Sequence, residues 1–443
     1  MKYRGATSRP NSATTATLRF SVITMPTLLQ PGFIDFASIV RSGDTVMWGQ
    51  ANAEPLPLTQ ALVAQRHDIG AFRVFLGVSS TDTCRPEHAD CISFVSYCGT
   101  GANRALARSG MLDVLPCHYS QFPQMIHAGQ LKVDVLLLQL APPDAEGRYS
   151  LSIAHEYLIA ALDTARVIVA EVNEQAPWTY GERYLRDEDL DFILPTSRAP
   201  LENVPASAGA VELAIASHVA GLIDDGATLQ FGLGAIPEAV LARLSDRRNL
   251  GVHSGAIGDK VADLMEAGVI NNTRKNVDRG LTIAGVMMGG RRIHGFAHRN
   301  PAVQFRSTNY THNPDVLARI DRFVALNSAL EVDLSGQINA EVANGSYVGA
   351  VGGALDFLRG ARHARGGLPV VAMPSTAAKA ASRIVATLSG PVSTPRSDAG
   401  IIVTEYGVAD LRGLTLKQRR ERLLAIAHPD YRAALECSNA GAL

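Results

Sequence analysis

An α/β fold made of two similar open-sheet halves is what the sequence predicts, and two observations carry it. Short β-branched apolar runs alternate with longer helical patterns: "VDVLLLQLA" over 133–141, the helix-like "HEYLIAALDTA" over 155–165, then "RVIVAEVN" over 166–173. Strands apolar at nearly every position and separated by a helix are buried on both faces, the condition of parallel sheets in βαβ units. The second observation is a recurrence. "SGDTVMWGQANAEPLPLTQALV" (42–63) and "DDGATLQFGLGAIPEAVLARL" (224–244) each run Gly turn, short strand, small-residue loop, proline and apolar helix. Pro57 and Pro237 both stand where a first-turn proline breaks no hydrogen bond. Residues 30–200 therefore read as an N-terminal α/β domain and 210–443 as a C-terminal one. The linker falls in "PTSRAPLENVPASAG" (195–209), where Pro, Ser and Ala replace the periodic pattern.

The bulk properties bound the function. With 443 residues, 47% of them hydrophobic, the chain can fill more than one core. Its formal charge of -1 comes without a basic block or aromatic-basic interleaving, so neither nucleic acid nor a membrane surface is an expected partner. Small molecules are. The longest apolar runs fall short of a membrane span. Five cysteines without a CxxC pair suit a reducing, cytoplasmic setting, with ordinary thiols and neither disulfide nor metal. Residues 1–29 are rich in Ser and Thr, carry Lys2, Arg4, Arg9 and Arg19, and have no acid before Asp35. They read as a disordered extension; a targeting segment or a start at Met25 are the alternatives.

Gly-rich turns concentrate in the second half. In "LQFGLGAIPEAV", Gly232 and Gly234 end a strand and open a helix, and "VGAVGGALDFLRGARHARGG" (348–367) repeats the idea with Gly349, Gly352 and Gly353. Such loops aim free backbone N–H groups at a phosphate or at a carbonyl oxygen being polarised. Neither is a Walker A loop or a complete Rossmann fingerprint, so each also reads as a plain tight turn. Arg359, Arg362 and Arg365 share a helical face that is either solvated or meets a phosphate.

Other leads fail. "HEYLI" is not HExxH, and no GxSxG elbow occurs. Cys98 in "SYCGTGANR" is a packed thiol or, with an activating base, a nucleophile. "LGVHSGAIGDKVADLMEAGVI" (250–270) reads as a short strand, a turn and an amphipathic helix; His253 and Ser254 are adjacent and point to opposite faces, so they form no direct pair.

"APPDAEGRYSL", "VIVAEVNEQAPWTYG", "GLGAIPEAVL", "EAGVI", "NSALEVDLSGQINAE", "GGALDFLRGA", "VTEYGVADLRG" and "IAHPDYR" occur in that order over about residues 30–435. Together they resemble the acetyl-CoA hydrolase/transferase family, which includes 4-hydroxybutyrate CoA-transferases. The resemblance implies two CoA-transferase-type (NagB/RpiA-like) α/β domains, a homodimer, and no cofactor beyond coenzyme A as substrate, exchanged between an acyl-CoA and an acceptor that the sequence does not name. In this family a glutamate attacks the thioester and then carries CoA as a glutamyl thioester. Its place, in a His-Thr-Glu-Met-like stretch, is taken here by Gly255 of His253-Ser254-Gly255-Ala256. Glycine has no atoms for covalent catalysis. Asp259 and Glu266 match acids the family keeps beside its glutamate, so both are expected in structural places. The resemblance further puts oxyanion-hole amides at Leu233 and at Gly352-Gly353, and an active-site asparagine at Asn313. It puts CoA contacts at Gly349, Gly352, Gly353, Asp356, Lys379 and Arg383. His155-Glu156, where relatives tend to carry Val-Asp, and "WGQANAEP" depart from the family on the substrate side and point to an unusual acyl group.

Overall fold

The structure, a computed structural model, describes residues 25–203, 207–232, 234–377 and 381–438. Two sheets dominate. The first has eight strands, all parallel, in the spatial order Thr27–Leu28, Phe192–Thr196, Val167–Asn173, Val135–Leu140, Thr45–Trp48, Phe72–Leu76, Ile92–Ser96 and Leu112–Val114. The second has six, in the order Gly251–Val252, Thr228–Phe231, Phe323–Asn327, Leu368–Ala372, Ile401–Thr404 and Gly407–Asp410. All are parallel but the last, which turns back on its neighbour. The run "VLLLQL" is buried at every position, as a strand covered on both faces must be.

The two recurring segments take the same path. Thr45–Trp48 leads through a loop to the helix Leu56–Ala64, and Thr228–Phe231 to the helix Ala235–Ala242. Each strand follows a glycine at positive φ, Gly43 at 88° and Gly226 at 76°, the left-handed turn that a Cβ would disfavour. Pro57 and Pro237 both fall in the first helical turn.

Two boundaries differ from the sequence reading. Thr27–Leu28, placed in the extension, pairs with Phe192–Ile193 and forms an edge of the first sheet. Residues 1–24 lie outside the described residues. The helix read from His155 begins at Leu158, because Glu156 takes a φ of 35° and His155 and Glu156 instead join the second half. His155 N–H donates to Gly285 O at 3.0 Å, and Glu156 bridges to Ser307. Between the halves, Tyr180–Gly181 also pairs with Val303–Phe305. Among the described residues no helix is long and apolar enough to cross a membrane.

Candidate active site

In open parallel sheets, ligands bind beyond the carboxyl ends of the strands, where the chain leaves the sheet and side chains are free to converge. Here both sheets offer their carboxyl ends to one cavity of about 290 Å³. Gln50, Val78 and Cys98 follow strands of the first sheet; Phe231, Gly232, Asn327 and Gly255 end or follow strands of the second. The loop before the helix Ala354–His363 closes it with Val351, Gly352 and Gly353.

At its floor lies Glu156, 3% exposed. Gln50 Nε2 donates to both carboxylate oxygens, at 2.9 and 2.8 Å, and to Tyr119 Oη at 2.9 Å. The orientation of that amide is fixed from its other side: Gln50 Oε1 accepts from Val78 N–H at 3.0 Å and Tyr97 Oη at 2.9 Å, and a backbone N–H can only donate. Burial pushes the Glu156 carboxyl up to about 8, against the opposing hydrogen bonds from Gln50 and Tyr119. Burial likewise holds the Tyr97, Tyr119 and Tyr157 hydroxyls protonated.

Gly255 is the neighbour of this acid. A Cβ built on Gly285 would lie 2.9 Å from Gly255 O and 3.1 Å from Glu156 Cγ, so residue 285 must be small for the two to stand side by side. A Cβ on Gly255 itself would come 3.1 and 3.2 Å from Cε1 and Nε2 of His312. That imidazole is wedged in place. Its ring centroid is 4.7 Å from Tyr119 and 4.5 Å from Phe357, Thr311 Oγ1 lies 2.9 Å from its Nδ1, and a Cβ on Gly353 would meet Nε2 at 2.6 Å. Burial lowers His312 to about 3, so the ring is neutral at physiological pH.

The loop 349–353 is a seam between the halves. Gly99 N–H donates to Gly349 O at 2.9 Å and Tyr119 N–H to Gly352 O at 3.0 Å. Gly352 sits at φ 54°. Gly352 is bridged in parallel to His118, whereas the N–H groups of Gly353 and Ala354 find no acceptor among the described residues. Helix N-termini leave such donors free, and here they border the cavity, where they suit a polarised carbonyl oxygen.

Other expected site residues lie elsewhere. Leu233 and Lys379 are outside the described residues. Asn313 does not line the cavity: its Oδ1 accepts from Asp315 and Val316 N–H and caps the helix Pro314–Ala318. The cavity's asparagine is Asn327, paired with Gln230 at 3.0 Å. Gly349 allows close packing rather than lining, since a Cβ there would fall 1.9 Å from Ala340 O. Asp356 turns to Ser120, accepting from its Oγ at 2.7 Å and its N–H at 3.1 Å. Arg383 also stands off the cavity, half-buried, with Nη1 on Ala329 O. Asp259 accepts from the N–H groups of Gly290 and Ile293, and Glu266 pairs with Arg292. Arg359, Arg362 and Arg365 are exposed, the first and last paired with Asp398 and Asp321. Cys98 lines the cavity without a base beside it; Thr100 Oγ1 and Asn103 Nδ2 donate toward its sulfur. Gln50, Tyr119, Glu156 and His312 escaped sequence reasoning as site residues. The one available signal was that Gln50 and Glu156 sit in the two segments that depart from the family pattern.

The comparisons agree with this architecture. The acetyl-CoA hydrolase/transferase N-terminal domain matches residues 34–204 and the C-terminal domain residues 289–438. The chain is 38% identical over 407 residues to the 4-hydroxybutyrate coenzyme A transferase of Clostridium kluyveri, covering 90% of this chain and 94% of that protein. It is 32% identical to the succinyl-CoA:cyclohexane-1-carboxylate CoA transferase of Geobacter metallireducens, over 91% and 93%. The crystal structure of RipA from Yersinia pestis matches with a TM-score of 0.88 at 33% identity, covering 94% of this chain and 97% of that one. With both domains matched and relatives aligned along nearly their full length, this chain belongs to the enzymatic acetyl-CoA hydrolase/transferase family.

Proposed function

We propose that this protein is an acyl-CoA-processing enzyme that works without a glutamyl-CoA intermediate at residue 255. The thioester carbonyl sits at the end of the loop 351–354, polarised by the free N–H groups of Gly353 and Ala354. The acyl group then passes directly to water or another acceptor, or is itself altered. One observation carries the reading: Gly255 faces the cavity bare, and His312 stands where a side chain at 255 would begin. Oxyanion stabilisation alone is worth about 3–4 kcal/mol of transition-state energy, so turnover does not require the missing nucleophile. Lys379 and Arg383 remain proposed contacts for CoA phosphates, and the homodimer remains the proposed assembly.

The test is mass spectrometry of all CoA species after incubation with a panel of acyl-CoAs, each with and without acetate. Free CoA or a changed acyl chain without acetate is the expected result. Acetyl-CoA that forms only when acetate is present would instead establish CoA transfer. That second reading has one observation in its favour, the presence of another acid, Glu156, in the same cavity.

A further inference from the structure

We propose that Glu156 is the catalytic carboxylate of this site, a general acid–base supplied by the first half of the chain to the cavity that Gly255 also lines. This inference rests on the acyl-CoA reading above and names the residue that performs its proton transfers.

The geometry is that of a held proton carrier. Glu156 lines the cavity, adjoins Gly255, and is clamped by a Gln50 amide whose orientation is itself fixed from behind. Its backbone is unusual for a residue with a Cβ: φ is 35°, a left-handed conformation that non-glycine residues adopt at a cost, and that persists where the surroundings impose it. Here it turns the chain out of the expected helix and into the bridge with Ser307, which delivers the carboxylate to the cavity. The two oxygens are already engaged by Gln50 Nε2, and the carboxyl is out of water. Desolvation raises its basicity and brings its titration to about 8, close to the working range of a general base.

The neighbours leave this proton isolated. Around it are the hydroxyls of Tyr97, Tyr119 and Tyr157, all held protonated by burial, and, lining the same cavity, Cys98 and the His312 imidazole, lowered to about 3 and neutral; His155, next in the chain, is likewise lowered to about 3 but does not line the cavity. Arg306, next to the Ser307 bridge, acts on His155.

In the step proposed, the Glu156 carboxylate removes a proton from the O–H of the acceptor, water in the simplest case. The acceptor oxygen bonds to the thioester carbonyl carbon. The tetrahedral intermediate collapses with cleavage of the C–S bond, and the proton on Glu156 passes to the departing CoA sulfur, which regenerates the carboxylate.

The experiment measures CoA release from the acyl-CoA panel between pH 6 and 10, and CoA affinity by calorimetry, for the unaltered protein, Glu156→Gln and Glu156→Asp. Glu156→Gln keeps the shape and a hydrogen bond to Gln50 and lacks the titrating proton. We expect kcat/KM of the unaltered protein to rise with pH through about 8, Glu156→Gln to lose 10²–10⁴-fold with unchanged CoA affinity, and Glu156→Asp to recover part of it. Single turnover in ¹⁸O-water should label the released acid and leave the Glu156 peptide unlabelled. Undiminished turnover in Glu156→Gln, or ¹⁸O in the Glu156 peptide, overturns the proposal and leaves the acyl-CoA reading standing; the latter result would make Glu156 a nucleophile. CoA affinity lost in parallel with turnover, with no rescue by Glu156→Asp, makes it a structural residue. If the unaltered protein processes none of the esters, the acyl-CoA reading falls first and this inference with it.

Discussion

Replacing Gly255 with alanine should reverse the sign of its effect depending on what stands at 312. In the unaltered protein the new Cβ meets His312 Cε1 at 3.1 Å and Nε2 at 3.2 Å, short of the 3.4 Å at which ordinary contact begins. The imidazole cannot swing away freely, because Tyr119 and Phe357 flank it and the Gly353 backbone leaves no room at Nε2. Overpacking of this kind costs about 1–3 kcal/mol. Against it, losing a glycine narrows the unfolded ensemble and stabilises by about 0.4–1 kcal/mol, with no penalty from φ, which is not left-handed at 255. The clash is the larger over all but its lowest value, so Gly255→Ala should destabilise by up to about 2.6 kcal/mol. With His312→Ala the clash disappears and only the entropic gain remains: Gly255→Ala should then stabilise. Scanning calorimetry of the four proteins reads this as a lowered midpoint in one background and a raised one in the other. Midpoints are the right quantity, since a chain with two sheets need not unfold in one step. Equal effects in both backgrounds would refute the claim that His312 occupies the start of a side chain at 255.

Three further outcomes follow from the same contacts. Glu156 titrates near 8 in the folded protein against a reference of 4.5, so its stabilising contribution is complete below about 4.5 and is lost as pH rises through 8. Glu156→Gln should therefore unfold at a higher midpoint than the unaltered protein at pH 8.5, with the gap closing at pH 5; a constant gap would contradict the buried charge. His155 has both ring nitrogens buried with no hydrogen-bond partner among the described residues, and its ring is stacked on Phe305 at 5.5 Å. His155→Leu removes that unmet polarity and should stabilise by about 1–3 kcal/mol, visible as a raised calorimetric midpoint, while a lowered midpoint would mean the ring packing outweighs it. Gly352→Val forces a β-branched residue into φ 54° beside the free N–H groups; turnover in the CoA-release assay should fall at least about tenfold, from strain of about 1–2 kcal/mol and a displaced amide, and unchanged turnover would remove this loop from the mechanism.

The sequence by itself determined what depends on neighbours along the chain. Short, nearly all-apolar runs such as "VLLLQL", alternating with helical patterns, marked strands buried on both faces, and the glycine turns at Gly43 and Gly226 with prolines at 57 and 237 marked the two matching strand-to-helix units. The glycines at 255, 352 and 353 were legible in the same way, because glycine declares itself by what it lacks. The tertiary structure decided everything that depends on two distant segments meeting. Helical periodicity from His155 hid Glu156, whose left-handed turn is stabilised by Gly285 and Ser307, more than a hundred residues away. Asn313 carried the right side chain for a site and spends it on a helix cap, while His312 beside it reaches the cavity between Tyr119 and Phe357. Gln50 gains its importance only when the carboxyl ends of both sheets converge and set it between Val78 and Glu156. Local propensity fixes the elements, whereas a site made of side chains 106 residues apart is written only in the packing that brings them together.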